Sequence, residues 1–207
     1  MRADASRASL LVLLAALLGL ILGGAALWLG VQDDAIAFWG FGAASLLQVP
    51  PALSLWGRIR DGLGNHGLER DRITLRVVSH LLRLLALGMA MTSVSALLAG
   101  RAPQVSFLMP AFSTLAAGLQ LSLWLGKRGL AGIHPILEGD AARSRTMLEL
   151  AALLLVGSLL GRWFPLADAS TGLLLALRLF FEGRILAKQT TLQAAACGGC
   201  RSGCGCG

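Results

Sequence analysis

The residues best suited to chemistry stand in two parts of the chain. Cys197, Cys200, Cys204 and Cys206 are its only cysteines, and all lie within the last eleven residues. Thiolates select soft ions, and C-x2-C followed by C-x-C on a glycine-rich chain can fold four sulfurs round one Zn(II) or Cu(I) ion. Palmitoylation, or a tail with no function of its own, are the other readings this segment allows. The second group is Asp140, Arg143, Ser144 and Met147, spaced i, i+3, i+4 and i+7 and therefore on one face of a helix. Glu138, Arg145 and Glu149 share a different face. An ionisable group at membrane depth costs at least about 2.5 kcal/mol, so it turns toward a bundle interior or a water-filled path. One of these faces can line such a path. The plainer alternative pairs Asp140 with Arg143 and Glu149 with a neighbouring helix. Arg178 and Glu182, an i, i+4 pair, read as a structural bridge. His134 and Glu138 are at most a weak two-ligand site, with a metal-free terminal histidine as the alternative. The stripe Arg76, His80, Arg83 reads as lipid-headgroup contact.

The elements that must position these groups follow from composition. Of 207 residues, 56% are hydrophobic and only 14% charged, and the mean hydropathy is +0.71. A soluble domain carries about a quarter charged residues. Here the apolar residues fall in long uncharged blocks, the pattern of an all-α polytopic membrane protein. Crossing about 30 Å of hydrocarbon takes roughly 20 helical residues. Ser9–Val31, Ala35–Trp56, Leu84–Gly100 and Val105–Gly126 supply four such runs. Two less clean stretches, Leu150–Gly161 behind a polar lead-in and Leu166–Leu186, bring the expected count to six transmembrane helices. Residues 1–190 form the membrane domain and 191–207 a flexible Gly/Cys-rich cytoplasmic tail. The first run exceeds a signal-peptide core of about 7 to 15 residues. Pro50-Pro51 predicts a kink or loosening in the second span. Gly19/Gly23 and Gly157/Gly161 have the spacing for close helix approach, either within the chain or across a dimer seam.

Charge sets the expected orientation. Arg2, Arg7, Arg58, Arg60, Arg70, Arg72, Lys127, Arg128, Lys188 and Arg201 fall on one side of the six-span topology, against only Arg101 and Arg162 on the other. Lys and Arg collect in cytoplasmic loops, so both termini are expected inside a cell's inner membrane. The net charge of +7 is then a topological signal, and no nucleic-acid partner is implied. No nucleophile elbow, phosphate loop or H-E-x-x-H appears, which argues against an enzyme.

Three segments resemble the cation diffusion facilitator superfamily, especially a small branch with a transmembrane domain only. They are Phe41-Gly42-Ala43-Ala44-Ser45-Leu46-Leu47-Gln48 running to Trp56-Gly57-Arg58, Glu138-Gly139-Asp140-Ala141, and Trp163-Phe164-Pro165-Leu166-Ala167-Asp168-Ala169 leading to Glu182-Gly183. The resemblance implies a six-helix bundle working as a homodimer, with a metal ion held mid-membrane between a ligand pair on span two and another on span five. Those four positions are here Ala44, Gln48, Arg143 and Met147. Zinc needs deprotonated N, O or S donors, and a cation beside the site repels it. The candidate transport path is therefore Gln48, Asp140, Arg143, Ser144, Met147 and Glu149, with a soft ion as its cargo. Two functions remain open at this point: a metal-cation transporter or efflux protein with a metal-capturing tail, and a non-transporting scaffold or accessory subunit of a larger membrane complex.

Overall fold

The computed structural model describes residues 2–60, 68–100, 106–130, 132 and 135–198. Most of the described residues of each uncharged run are helical. The order is α1 (Arg2–Gln32), α2 (Ile36–Leu47), α3 (Val49–Arg60), α4 (Leu68–Ala99), α5 (Leu108–Arg128), α6 (Pro135–Leu160) and α7 (Ala167–Gly198). The polar lead-ins expected ahead of the third and fifth runs are continuous with them, as the first turns of α4 and α6.

Span two divides where its prolines require it. Pro50 and Pro51 have no N–H to give to the carbonyls of Leu46 and Leu47, so the ladder of α2 ends there. The Gln48 N–H bonds Ser45 O at 3.2 Å instead. α3 restarts at Val49 with both prolines in its first turn, where backbone donors have no intrahelical partner in any case. At its other end α7 continues to Gly198, past the boundary expected at residue 190. Leu192 and Ala194–Ala196 are strong helix formers, and the described helix stops at the first glycine of the Gly198-Gly199 pair.

Four segments are long and apolar enough to cross a membrane: Ser6–Gln32, Ile36–Arg60, Glu69–Ala99 and Leu108–Arg128. α6 and α7 fall outside that set because Arg143, Arg145 and Glu149 interrupt one and Arg178, Glu182 and Arg184 the other. Both nevertheless pack into the same bundle, α7 along α4 and α6 along α5. The bundle turns its greasiest surface outward: Leu10, Ile21, Leu84, Met91, Leu115 and Leu177 are all exposed, whereas Ser45, Ser79, Ser93 and Ser113 are completely buried. Water would penalise that distribution and hydrocarbon favours it. Two apolar clusters hold the interior. Phe38, Phe41, Leu82, Met89, Leu150, Leu154, Leu175 and Leu179 lie in one, and Val12, Ala16, Val49, Ala52, Leu55 and Ile59 in the other.

Three of the four glycines at four-residue spacing, Gly19, Gly23 and Gly157, stand against other helices of the same chain. A side chain at Gly23 would meet Leu46 and Gly42 O of α2, and one at Gly157 would meet Thr171 of α7. Another contact between distant parts of the chain holds the start of α2. Its N-cap, Ala35, has no side-chain oxygen. Asp168 at the start of α7 accepts the N–H of Ile36 at 2.8 Å and that of Ala37 at 3.3 Å, doing from a distant helix what Asp ordinarily does as a local cap. Asp168→Ala is expected to cost about 2 kcal/mol in detergent unfolding, and Asp168→Asn, which keeps an acceptor, less than half of that. Equal losses in the two variants would show that the carboxylate does not cap α2.

Candidate functional site

Residues from four directions converge on a space that runs from the break between α2 and α3 toward the end of the bundle where α5 finishes and α6 begins. The polar break after α2 supplies Gln48, half-buried at the middle of the Ile36–Arg60 segment, together with buried Ser45 one turn earlier. α1 contributes Ala15 and Gly19, small enough to leave room. From α5 come Gln120 and Lys127, each only 5% exposed. α6 brings Asp140, Arg143, Ser144 and Met147 on one face, as their spacing requires. Together these residues line a single cavity of about 30 Å³.

Its charged centre is a pair missing from the sequence expectation. Lys127 Nζ lies 2.6 Å from Asp140 Oδ2, with side chains only 6% and 7% exposed. The plainer alternative drawn from the sequence pairs Asp140 with Arg143. In the fold the carboxylate turns to α5, and Arg143 lines the same cavity as a second, half-buried cation. A smaller space of about 10 Å³, walled by Ala8, Leu11, Val12, Leu130 and Leu137, borders the same Lys127–Asp140 pair. The pair thus fronts two spaces at once.

The chain matches no family model and no curated protein. The likeness to cation diffusion facilitators accordingly stands on the three sequence segments alone, and the site must be judged by its own chemistry. Gln48, Asp140, Arg143, Ser144 and Met147, five of the six residues expected along a path, do meet. Ala44, at one of the resembled ligand positions, is completely buried in the larger apolar cluster. The cavity offers one carboxylate, already bound to an ammonium. Among the described residues no three His, Cys, Asp or Glu side chains gather to hold a metal ion. This donor set does not fit zinc.

Glu149 is the exception among the six. It faces α7, where its Oε2 accepts from Arg178 Nε at 2.8 Å while its Oε1 accepts from Arg145 Nε at 3.1 Å. Arg178 also reaches Glu182 Oε2 at 3.4 Å and Thr146 Oγ1 at 3.0 Å, and the Thr146 hydroxyl donates to Glu182 at 2.9 Å. Glu182 is 5% exposed, so Arg178 and Thr146 both engage one oxygen, Oε2, of a buried carboxylate. The reason Glu149 leaves the path is angular: it lies with Glu138 and Arg145 on the other face of α6. The expected Arg178–Glu182 bridge is present and ties α6 to α7 as well.

Of the remaining candidates, Arg76 and His80 are exposed, consistent with headgroup contact, while Arg83 is half-buried and donates to Gly183 O at 3.3 Å. Glu138 is exposed, and His134 and His66 lie outside the described residues. So do Cys200, Cys204 and Cys206; Cys197 falls within the last turn of α7. At the basic end of the bundle, Arg60 stacks over Trp56 at 5.7 Å and Arg128 over Trp124 at 5.4 Å, an arrangement suited to a membrane–water boundary. Arg58 Nη1 meets Asp71 Oδ2 at 2.6 Å, joining α3 to α4 across residues 61–67.

Proposed function

We propose that this is a polytopic membrane transport protein, with α1, α2–α3, α4, α5, α6 and α7 as six crossings and both termini on the cytoplasmic side of the inner membrane. The observation that carries this reading is the polar cavity. Gln48, Gln120, Lys127, Asp140, Arg143 and Ser144 gather inside a bundle whose outer surface is apolar, and polar groups concentrated at membrane depth mark solute pathways. The Lys127–Asp140 pair, bordering a space on either hand, is placed to act as the gate between them. The cysteine tail gives the protein its metal chemistry in this reading, capturing a soft ion such as Zn(II) or Cu(I) through Cys197, Cys200, Cys204 and Cys206. Divalent cation passage through the core is not part of it, because the cavity lacks the anionic donors that the resemblance would require.

A second reading, an accessory subunit in a membrane complex or a homodimer, is favoured by one observation. Arg145, paired with Glu149, has its side chain 68% exposed, and a partner there would shield it from lipid.

The discriminating experiment is solute flux into proteoliposomes, using a panel of small cations and anions and comparing wild type with Asp140→Asn. At least one solute is expected to move faster than through protein-free liposomes. Its flux should fall about tenfold or more in Asp140→Asn, equivalent to about 1.4 kcal/mol in the limiting step. A wild type that moves nothing in the panel overturns the transport reading in favour of the accessory one.

A further inference from the structure

We infer that the cavity between α1, α2, α5 and α6 is a binding site for a monovalent anion of halide size, an inference that rests on the transport reading and names its solute class. The argument begins with charge. Lys127 and Arg143 are two cations, Asp140 is the single anion, and all three line the same space, so the lining carries a net +1 when each is ionised. The Lys127–Asp140 pair neutralises itself at 2.6 Å. Arg143 keeps its charge, since a guanidinium does not lose its proton in proteins. No described residue makes an ion pair with it, and the carboxylate three residues before it is directed at Lys127 instead. In a low-dielectric bundle an uncompensated cation draws a counter-ion. A metal ion entering here would add to the positive charge and would have to displace Lys127 to find an anionic ligand. An anion removes the excess and needs to displace nothing.

Donor chemistry points the same way. Arg143 and Lys127 are donor-only, and the Gln120 amide and the Ser144 hydroxyl, both nearly buried, add neutral N–H and O–H groups. These are the partners an anion takes in place of water. Size narrows the class. About 30 Å³ holds about two waters at roughly 10–15 Å³ each, or one small ion with its last water. Phosphate, sulfate and organic acids are too large, and a doubly charged anion exceeds the available charge. Access is on the side of Arg143 and Gln48, the half-buried polar residues of the lining, whereas Ser45, Gln120, Lys127, Asp140 and Ser144 are buried. An anion would meet Arg143 first and the Lys127–Asp140 pair beyond it.

The test uses the full-length protein in detergent, with thermal unfolding followed as sodium gluconate is exchanged for sodium chloride at constant ionic strength. Gluconate is too large for the cavity and controls for general salt effects. Wild type should be stabilised by chloride in a saturable manner. Arg143→Gln should weaken the half-saturation about tenfold, the loss of one charge-assisted contact, while Arg143→Lys retains most of the effect. Gln120→Leu, which leaves every charge in place, should weaken it by a smaller factor and serves if Arg143→Gln does not fold. Identical unfolding in chloride and gluconate, or a chloride effect unchanged in both Arg143→Gln and Gln120→Leu, overturns the anion site. Flux separates this result from the broader reading. A protein that is stabilised by chloride but moves no solute keeps the site and loses the transport function, whereas one that moves a solute without chloride-specific stabilisation keeps the function and loses the site.

Discussion

Lys127→Met is expected to destabilise the protein by about 3 kcal/mol or more, and Lys127→Met combined with Asp140→Leu to recover most of that loss. The ammonium and carboxylate are 2.6 Å apart, with side chains only 6% and 7% exposed. Removing one partner leaves a buried charge unmatched, which typically costs 3–5 kcal/mol, while replacing both by apolar groups of similar size is often neutral. Methionine and leucine suit these positions, because Lys127 and Asp140 also border a small space walled by Ala8, Val12 and Leu137. A double-mutant cycle in detergent unfolding gives the coupling directly. A single-mutant loss below about 1 kcal/mol would mean that Arg143 takes the carboxylate in place of Lys127, the i, i+3 pairing that the sequence offers as the plainer alternative. In the transport reading the apolar double variant should fold and fail to move solute, since it removes the gate while keeping the packing. Stability and function thus separate at this pair.

That alternative pairing shows where sequence reasoning ran short. The all-helical architecture and the four segments of spanning length were legible because hydrocarbon thickness and backbone hydrogen bonding leave few alternatives to long uncharged helices. Pro50 and Pro51 announced the break between α2 and α3 by their missing donors. The shared face of Asp140, Arg143, Ser144 and Met147 followed from helical geometry alone. The same geometry placed Glu149 on the other face with Glu138 and Arg145, so its position in the α6–α7 network, away from the cavity, was already contained in the spacing. Lys127 was less accessible. It follows directly on the uncharged run ending at Gly126 and beside Arg128, so it reads as one more basic residue in a loop. Only the packing of α6 against α5 shows that its side chain turns inward. Gln120 left a fainter signal, as the one side-chain amide in the run Val105–Gly126. Asp168 left none that spacing could reveal, because the amides it accepts from are more than 130 residues away in the chain.

The seam between α1 and α2 should be the least tolerant apolar surface in the molecule, and Gly42→Val should cost about 3 kcal/mol or more. A Cβ at Gly42 would stand 2.7 Å from Leu27 N and 2.8 Å from Gly23 O, both of them backbone atoms. A side chain can rotate away from an intruding methyl group, but a helix backbone moves only as a whole. Inserting atoms into a packed interior ordinarily costs 1–3 kcal/mol, and here the contacts that hold the two helices together must separate along their length. In a membrane no hydrophobic force compensates, because lipid solvates the parted apolar faces as well as they solvate each other. Gly88, where a Cβ would meet nothing within 4 Å, is the control. Gly88→Ala should be neutral or gain up to about 1 kcal/mol from helix propensity. Gly19→Ala belongs between the two, since its Cβ would lie 3.3 Å from Ser45 O and from Val49 Cγ2, a contact that a small shift relieves. Unfolding of the three variants in one detergent should therefore rank Gly42→Val as the most damaging, then Gly19→Ala, then Gly88→Ala. If Gly42→Val unfolds within about 0.5 kcal/mol of Gly88→Ala, α1 and α2 are not in backbone contact. The cavity wall would then be misplaced too, because Gly19 and Ser45, which line it, belong to this same seam.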